Sequence, residues 1–130
     1  MHELSIALSI VEVAGEEAAR RGAAVRAVHL RLGPLSGVVA DALLFSWDIA
    51  SESTPLQGSR LVIQHAPVRA WCPACAREQT IESVQMMVCP TCGTPTPEVR
   101  AGRELEVTGL EITDDLNAYG RSAPAGAQAQ

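Results

Sequence analysis

Apolar residues recur at helical spacing in two segments of the chain. In residues 1–21 they stand three or four positions apart, at Leu4, Ala7, Leu8, Val11, Ala14 and Ala18. This spacing is typical of an amphipathic helix with one buried face, and Gly22 follows as its end. In residues 40–52 a second apolar face comprises Leu43, Leu44, Trp47 and Ala50. This second helix is expected to begin near Asp41, an acid suited to a capping or first-turn position.

Three other segments alternate apolar and polar residues, which is the pattern of a strand with one buried face. They are residues 25–33, 60–66 and 103–112. The order of these elements predicts an α+β fold, with two helices on a three-stranded mixed sheet. Pro67 ends the second strand, so the segment after it is expected to be a lobe inserted between two strands. His29 and His65 lie on predicted strands, where we expect structural or solvated side chains.

All four cysteines of the chain lie in two Cys-x-x-Cys pairs, Cys72 with Cys75 and Cys89 with Cys92. Two such pairs that face each other can supply four thiolates in a tetrahedron, the geometry of a closed structural zinc site. Disulfides are the alternative, but a cytosolic chain keeps its thiols reduced. No signal peptide and no apolar run of about 20 residues are visible, so we expect a cytoplasmic protein without a membrane segment. The inserted lobe is therefore predicted to be zinc-ribbon-like, with a zinc site made by the four cysteines.

These patterns divide the chain into three parts. Residues 1–66 and 98–114 form an α/β domain, residues 67–97 form the zinc-binding domain, and residues 115–130 form a tail. The tail is rich in Ala, Gly, Ser, Pro and Gln, which bury too little apolar surface to order it, so we expect disorder. Ten Arg, no Lys and fifteen Asp plus Glu give a net charge of −5, which argues against a nucleic-acid partner. Four thiolates leave no open coordination position, which argues against an enzyme with a catalytic zinc.

The first residues offer a second set of metal donors. The amine of Met1, with the backbone nitrogen and imidazole of His2, can close two chelate rings on one metal, and nitrogen-rich sets suit Ni(II) or Cu(II). Losing an amide proton in the first helical turn breaks no ladder bond. The helix dipole opposes a cation there, so deprotonated amide nitrogens, or carboxylates such as Glu3 and Asp41, would have to offset it. In the alternative interpretation, His2 is solvated, Glu3 is a first-turn acid and Asp41 caps a helix.

Three features occur together: Met-His-Glu-Leu-Ser at residues 1–5, the cysteine quartet, and Gly-Arg-Glu-Leu-Glu-Val at residues 102–107. In this combination the chain resembles the HypA/HybF nickel metallochaperones of hydrogenase maturation, over about residues 1–114. The resemblance implies one Ni(II), transiently bound by Met1, His2, Glu3 and Asp41, and one structural Zn(II) at the cysteines. It also implies delivery of nickel to the [NiFe]-hydrogenase large subunit precursor, together with a GTPase accessory protein, and in some organisms a role with urease maturation proteins.

The chain departs from the resembled family at two points. Its tail after Asp115 is longer than usual, and no histidine stands beside the cysteines. The second departure gives no support to a zinc site with variable histidine ligands. An alternative function is a zinc-ribbon adaptor that acts through protein contacts and has no nickel role. Such an adaptor would share the cysteine quartet but would be indifferent to His2.

Overall fold

The structure is a computed structural model, and it describes residues 2–113 of the chain. Two helices and six strands follow one another as α1 (His2–Arg21), β1 (Ala24–Leu32), α2 (Ala40–Ser51), β2 (Arg60–His65), β3 (Val68–Cys72), β4 (Arg77–Ile81), β5 (Glu98–Ala101) and β6 (Leu105–Thr113). The predicted α+β class is confirmed. The expected nickel donor Met1 and the expected disorder of residues 115–130 lie outside the described residues.

The strands form two three-stranded sheets, with the orders β2-β1-β6 and β4-β3-β5. The first sheet consists of the strands that alternation predicts. In the second sheet, the central strand β3 pairs antiparallel with β4 and with β5. None of these three strands was predicted from the sequence, because strands of four or five residues are too short for a clear alternation of apolar and polar positions.

The chain contacts divide the described residues into two compact units. The first unit holds residues 2–29, 39–62 and 107–113, and the second holds residues 30–38 and 63–106. Both helices belong to the first unit, and all four cysteines belong to the second. The domain boundaries given by the sequence analysis, with a zinc-binding domain at residues 67–97, remain a prediction.

Helices α1 and α2 pack against each other in the first unit. The buried apolar residues of α1 are Ala7, Ile10, Val11, Ala14 and Ala18, and those of α2 are Leu43, Trp47 and Ala50. The expectation that Leu8 and Leu44 share these faces is wrong, because they are 50% and 41% exposed. Each lies about 100° around its helix from the preceding buried residue, outside the stripe that the neighbouring elements cover.

Helix α2 begins at Ala40, next to Asp41, near which its start was expected. Its capping position is Val39, which has no side-chain acceptor, and the helix has no side-chain cap bond. Asp41 is exposed in the first turn, so its interpretation as a helix cap is wrong. It still lies where a carboxylate interacts favourably with the positive end of the helix dipole.

The second unit has a small core beside a close approach of two chain segments. Val68, Ala70 and Ile81 are buried together, with Leu35 and Met87 packed against them. The Gly33 N–H donates to the Glu104 carbonyl at 2.8 Å, and the Leu35 N–H donates to the Gly102 carbonyl at 2.7 Å. A Cβ on Gly33 would overlap the Gly102 carbonyl group. Only glycine therefore fits at residue 33 without moving the backbone.

We expect Gly33→Ala to destabilise the protein by at least about 1–3 kcal/mol, because the overlap is with main-chain atoms that cannot rotate away. Gly109→Ala is the matched control, because a Cβ at that position meets no atom within 4 Å. Urea unfolding of the two variants and the parent chain measures the difference. Equal urea midpoints for the two variants would contradict the close approach at Gly33.

Candidate metal centres

The two Cys-x-x-Cys pairs occupy turns of matching geometry. In the first turn the Ala76 N–H donates to the Cys72 carbonyl at 2.8 Å, and in the second the Gly93 N–H donates to the Cys89 carbonyl at 2.8 Å. The residue after each second cysteine has a positive φ, 57° at Ala76 and 77° at Gly93. Glycine takes this conformation readily, whereas alanine does so at a steric cost. The same turn is therefore built twice, from two different sequences.

Main-chain N–H groups point at the first sulfur of each pair. The Cys75 nitrogen lies 3.3 Å from Cys72 Sγ, and the Thr91 nitrogen lies 3.4 Å from Cys89 Sγ. Such donors favour the thiolate form. At Cys89, burial raises the pKa of the thiol, but the N–H groups of Cys92 and Thr91 outweigh burial and the net pKa is lowered. The second turn thus prepares the Cys89 sulfur to act as an anionic ligand.

The four sulfur atoms form one compact cluster, in which all lie within 4.8 Å of one another. Cys72 Sγ lies 3.5 Å from Cys92 Sγ, and Cys75 Sγ lies 3.9 Å from Cys89 Sγ and 3.7 Å from Cys92 Sγ. A tetrahedral ion with metal–sulfur bonds of about 2.3 Å separates its sulfur ligands by about 3.8 Å. The cluster therefore fits a tetrahedral metal ion. None of the four cysteines forms a disulfide.

Two thiols of the cluster, Cys92 and Cys75, have very different pKa values. The Thr94 hydroxyl lies 3.1 Å from Cys92 Sγ, and hydrogen bonding from Thr94 lowers the pKa of Cys92 to about 6. Hydrogen bonds with Cys92 and Cys72 raise the pKa of Cys75 to about 12. Neighbouring thiols cannot all ionise at neutral pH unless a cation offsets their mutual repulsion. A metal ion that binds here releases the remaining protons.

An ion-pair network lies on the sheet that carries the first cysteine. The Arg100 guanidinium stacks 4.7 Å from the centroid of the Trp71 ring. Arg100 also forms ion pairs with Glu98 at 2.7 Å and with Glu78 at 3.9 Å. Trp71 immediately precedes Cys72 in β3, so these contacts tie β5 and β4 to the strand that ends at the sulfur cluster. The sequence analysis missed this network, whose members become neighbours only through the strand register.

The structure describes three of the four expected nickel donors: His2, Glu3 and Asp41. The His2 side chain is 62% exposed, and its Nε2 lies 3.8 Å from Glu3 Oε2. Glu3 is buried, and its Oε2 accepts a hydrogen bond of 3.0 Å from the Val39 N–H. That hydrogen bond lowers the pKa of the Glu3 carboxyl. Within residues 2–113, the sulfur cluster is the one group of three or more metal-ligating side chains drawn close together, so these three do not form a second.

The two strand histidines have different surroundings. His29 Nε2 lies 2.6 Å from Glu111 Oε2, and Arg60 approaches the other oxygen of the same carboxylate at 3.6 Å. The hydrogen bond with His29 lowers the pKa of Glu111. His65 ends β2 and is exposed. The expectation that His29 and His65 are structural or solvated agrees with these positions.

Residues 1–112 match the family described as hydrogenase/urease nickel incorporation, metallochaperone, hypA. The chain belongs to the HypA family. This is a family of metallochaperones and not of enzymes, and it serves nickel incorporation into hydrogenase and urease.

Curated relatives of the HypA family match most of the chain. A hydrogenase maturation factor HypA of Roseiflexus sp. (strain RS-1) is 49% identical over 116 residues, which cover 88% of this chain and 94% of that protein. The HypA of Chloroflexus aurantiacus is 50% identical over 112 residues, covering 85% of this chain and 98% of that protein.

Two solved structures of HypA proteins share the fold. A solution structure of HypA protein has a TM-score of 0.65 and 20% identity, and it covers 88% of this chain and 98% of the solved one. The solution structure of the Ni metallochaperone HypA from Helicobacter pylori has a TM-score of 0.58 and 20% identity, and it covers 85% of this chain and 96% of the solved one.

Neither helix in residues 2–113 has the length and apolar character that a membrane span requires.

We expect Thr94→Val to weaken metal binding at the sulfur cluster by about tenfold, the scale of outer-shell substitutions at metal sites. Without the hydroxyl, the pKa of Cys92 rises from about 6 and protons compete better with the metal. With Zn(II) as the probe, the pH of half-maximal metal release should therefore move upward. Thr91→Val is the control, because Thr91 reaches Cys89 through its main-chain nitrogen. A release pH equal to that of the parent chain would contradict this role of Thr94.

Proposed function

We propose that this chain is a nickel carrier, with Ni(II) as transient cargo at its N-terminus and Zn(II) as a structural ion. Met1, His2, Glu3 and Asp41 form the nickel site. The four cysteines hold the zinc. The observation that carries this proposal is the family match over residues 1–112, which spans both sets of residues.

The sulfur cluster supports a structural zinc ion. Three of its six sulfur separations are 3.5–3.9 Å and all six are within 4.8 Å, which suits tetrahedral coordination by four thiolates. Zinc bound by four thiolates has no open position for water or substrate, so it contributes folding free energy and not catalysis. Cys72, Cys75, Cys89 and Cys92 hold the ion between the two matching turns.

The exposure of His2 at the first residue of α1 supports a nickel site at the chain terminus. The Met1 amine with the amide nitrogen and imidazole of His2 offers the nitrogen-rich set that Ni(II) prefers. The positive end of the α1 dipole opposes a cation there, and the negative charges of Glu3 and Asp41 offset it. The donors at the start of α1 can also separate from a metal by fraying of that helical turn, which suits a metal that must be passed on.

The destination of the nickel is the [NiFe]-hydrogenase large subunit precursor. Delivery takes place in the cytoplasm, together with the GTPase accessory protein of hydrogenase maturation. Urease maturation proteins are a second set of recipients, because the matched family serves both enzymes.

We expect calorimetric titration of the zinc-loaded chain, with its native N-terminus, to show binding of Ni(II) at micromolar affinity or tighter. His2→Ala removes the imidazole, and one glycine added before Met1 displaces the terminal amine. Both changes should abolish this binding, because the chelate rings need both donors. His65→Ala is the matched control, since His65 is also exposed but lies in β2.

Equal nickel binding by all four proteins, or by none, would contradict the N-terminal site. The chain would then be better described as a zinc-ribbon adaptor. If His65→Ala were the one variant that lost nickel binding, the nickel site would lie at β2 instead.

We expect Cys72→Ala to lose its zinc and to unfold the second unit, because structural zinc supplies on the order of 10 kcal/mol of apparent folding free energy. Elemental analysis of purified protein and far-UV circular dichroism measure the two effects. Met86→Ala, an exposed substitution in the same unit, should keep one zinc per chain. Unchanged metal content in Cys72→Ala would rule out the four-cysteine site.

A further inference from the structure

Glu3 is the one buried carboxylate among residues 2–113. It is 8% exposed, whereas every other Asp and Glu of that range is more accessible. Burial of a carboxylate is unfavourable unless hydrogen bonds or opposite charges compensate for the lost water. A first-turn acid that only stabilised the dipole of α1 would do so equally well from the surface. The burial of Glu3 therefore calls for a more specific explanation.

The hydrogen bond from Val39 supplies that explanation. Glu3 Oε2 accepts the Val39 N–H at 3.0 Å, across a separation of 36 residues. Val39 is the capping residue of α2, with φ −90° and ψ 119°, and its own carbonyl accepts the Leu43 N–H. A valine side chain cannot cap a helix. The Glu3 carboxylate accepts the N–H of the capping residue itself, the bond that the third helical residue makes in a capping box, and it adds a negative charge at the positive end of α2.

The two ends of this hydrogen bond adjoin the proposed nickel donors. Glu3 follows His2 directly, and His2 Nε2 lies 3.8 Å from the same Oε2 atom. Val39 stands two residues before Asp41, which is in the first turn of α2. The hydrogen bond therefore joins the chain segment of His2 to the chain segment of Asp41. If the Glu3 carboxylate turned to a metal, the Val39 N–H would lose its acceptor.

We propose that Glu3 is a positioning residue of the nickel site: its carboxylate fastens the segment before α2 to the first turn of α1, and so ties the segment that carries Asp41 to the segment that carries His2. This inference rests on the proposed function, because it needs a nickel ion at the N-terminus. It also refines that function: the Glu3 carboxylate binds the Val39 N–H, and the Asp41 carboxylate binds the metal.

Nickel titration of the full zinc-loaded chain separates positioning from coordination by Glu3. Glu3→Ala removes the acceptor and should weaken Ni(II) binding about tenfold or more. Glu3→Gln keeps an oxygen of the same reach for the Val39 N–H, but an amide is a poor ligand for a metal. It should therefore recover most of the affinity that alanine loses. Glu12→Ala, an exposed acid on the same helix, is the control and should bind like the parent chain.

Two further measurements test whether Glu3 affects nickel binding through Val39 and Asp41. Hydrogen exchange at the Val39 amide should accelerate in Glu3→Ala and slow again in Glu3→Gln. In an Asp41→Asn background, Glu3→Ala should cause no further loss of nickel affinity, because residues that act through one another are not additive. A purely structural role of Glu3 would lower affinity by the same factor in both backgrounds.

The failure of this inference and the failure of the proposed function give different results. If the parent chain binds no nickel, or His2→Ala binds as well as the parent, the proposed function fails. If His2 is required but Glu3→Gln loses as much affinity as Glu3→Ala, nickel binding needs the negative charge of the carboxylate, as a ligand or as a nearby charge, and the positioning role is overturned. Parent-like binding by Glu3→Ala overturns it too. Should Glu3→Ala not fold, binding by Glu3→Gln decides alone, with retention supporting the role and loss overturning it.

Discussion

Four sulfur atoms within 4.8 Å of one another can ionise together only if a cation balances them, and the second unit is built around that constraint. Two turns of the same geometry carry the sulfurs, one at the end of β3 and one after β4. The Thr91 N–H group favours the thiolate form of Cys89, and hydrogen bonding from Thr94 favours that of Cys92. The sheet β4-β3-β5 supports the first turn through its hydrogen bonds and the contacts of Arg100.

The two metal centres proposed for this chain meet opposite chemical demands. The sulfur cluster is closed and partly buried, and four thiolates satisfy every position of a tetrahedral ion. The terminal site uses an exposed imidazole on the first residue of a helix. A resident ion is best held by the first arrangement, and a cargo ion by the second, because donors at a helix end can open without disturbing a core. In the sulfur cluster, the Thr91 N–H group and the Thr94 hydroxyl contact the sulfurs from outside the set of ligands, and we propose a similar supporting role for the hydrogen bond between Glu3 and Val39.

Much of the architecture was predictable because its signals are local. Helical and alternating periodicity identified both helices and all three strands of the first sheet, and the spacing of the cysteines identified the cluster. The wrong predictions concern the edge of a buried helix face and the capping residue of a helix, neither of which a local pattern defines. Leu8 and Leu44 continue the apolar spacing of their helices, yet they are exposed, because the orientation of the packed neighbours decides where a buried stripe ends. Asp41 suits a cap by residue type, but the helix begins at Ala40.

By itself, the sequence determined the fold class, the four metal-binding cysteines and membership in the HypA family, because each depends on residue types at fixed short spacings. Only the tertiary structure decided which residues meet across long separations. The contact of Glu3 with Val39 spans 36 residues, and that of His29 with Glu111 spans 82. The pairing of β5 with β3 is likewise invisible in the chain. Such contacts depend on helix packing and strand register, which many residues determine together and no single motif encodes.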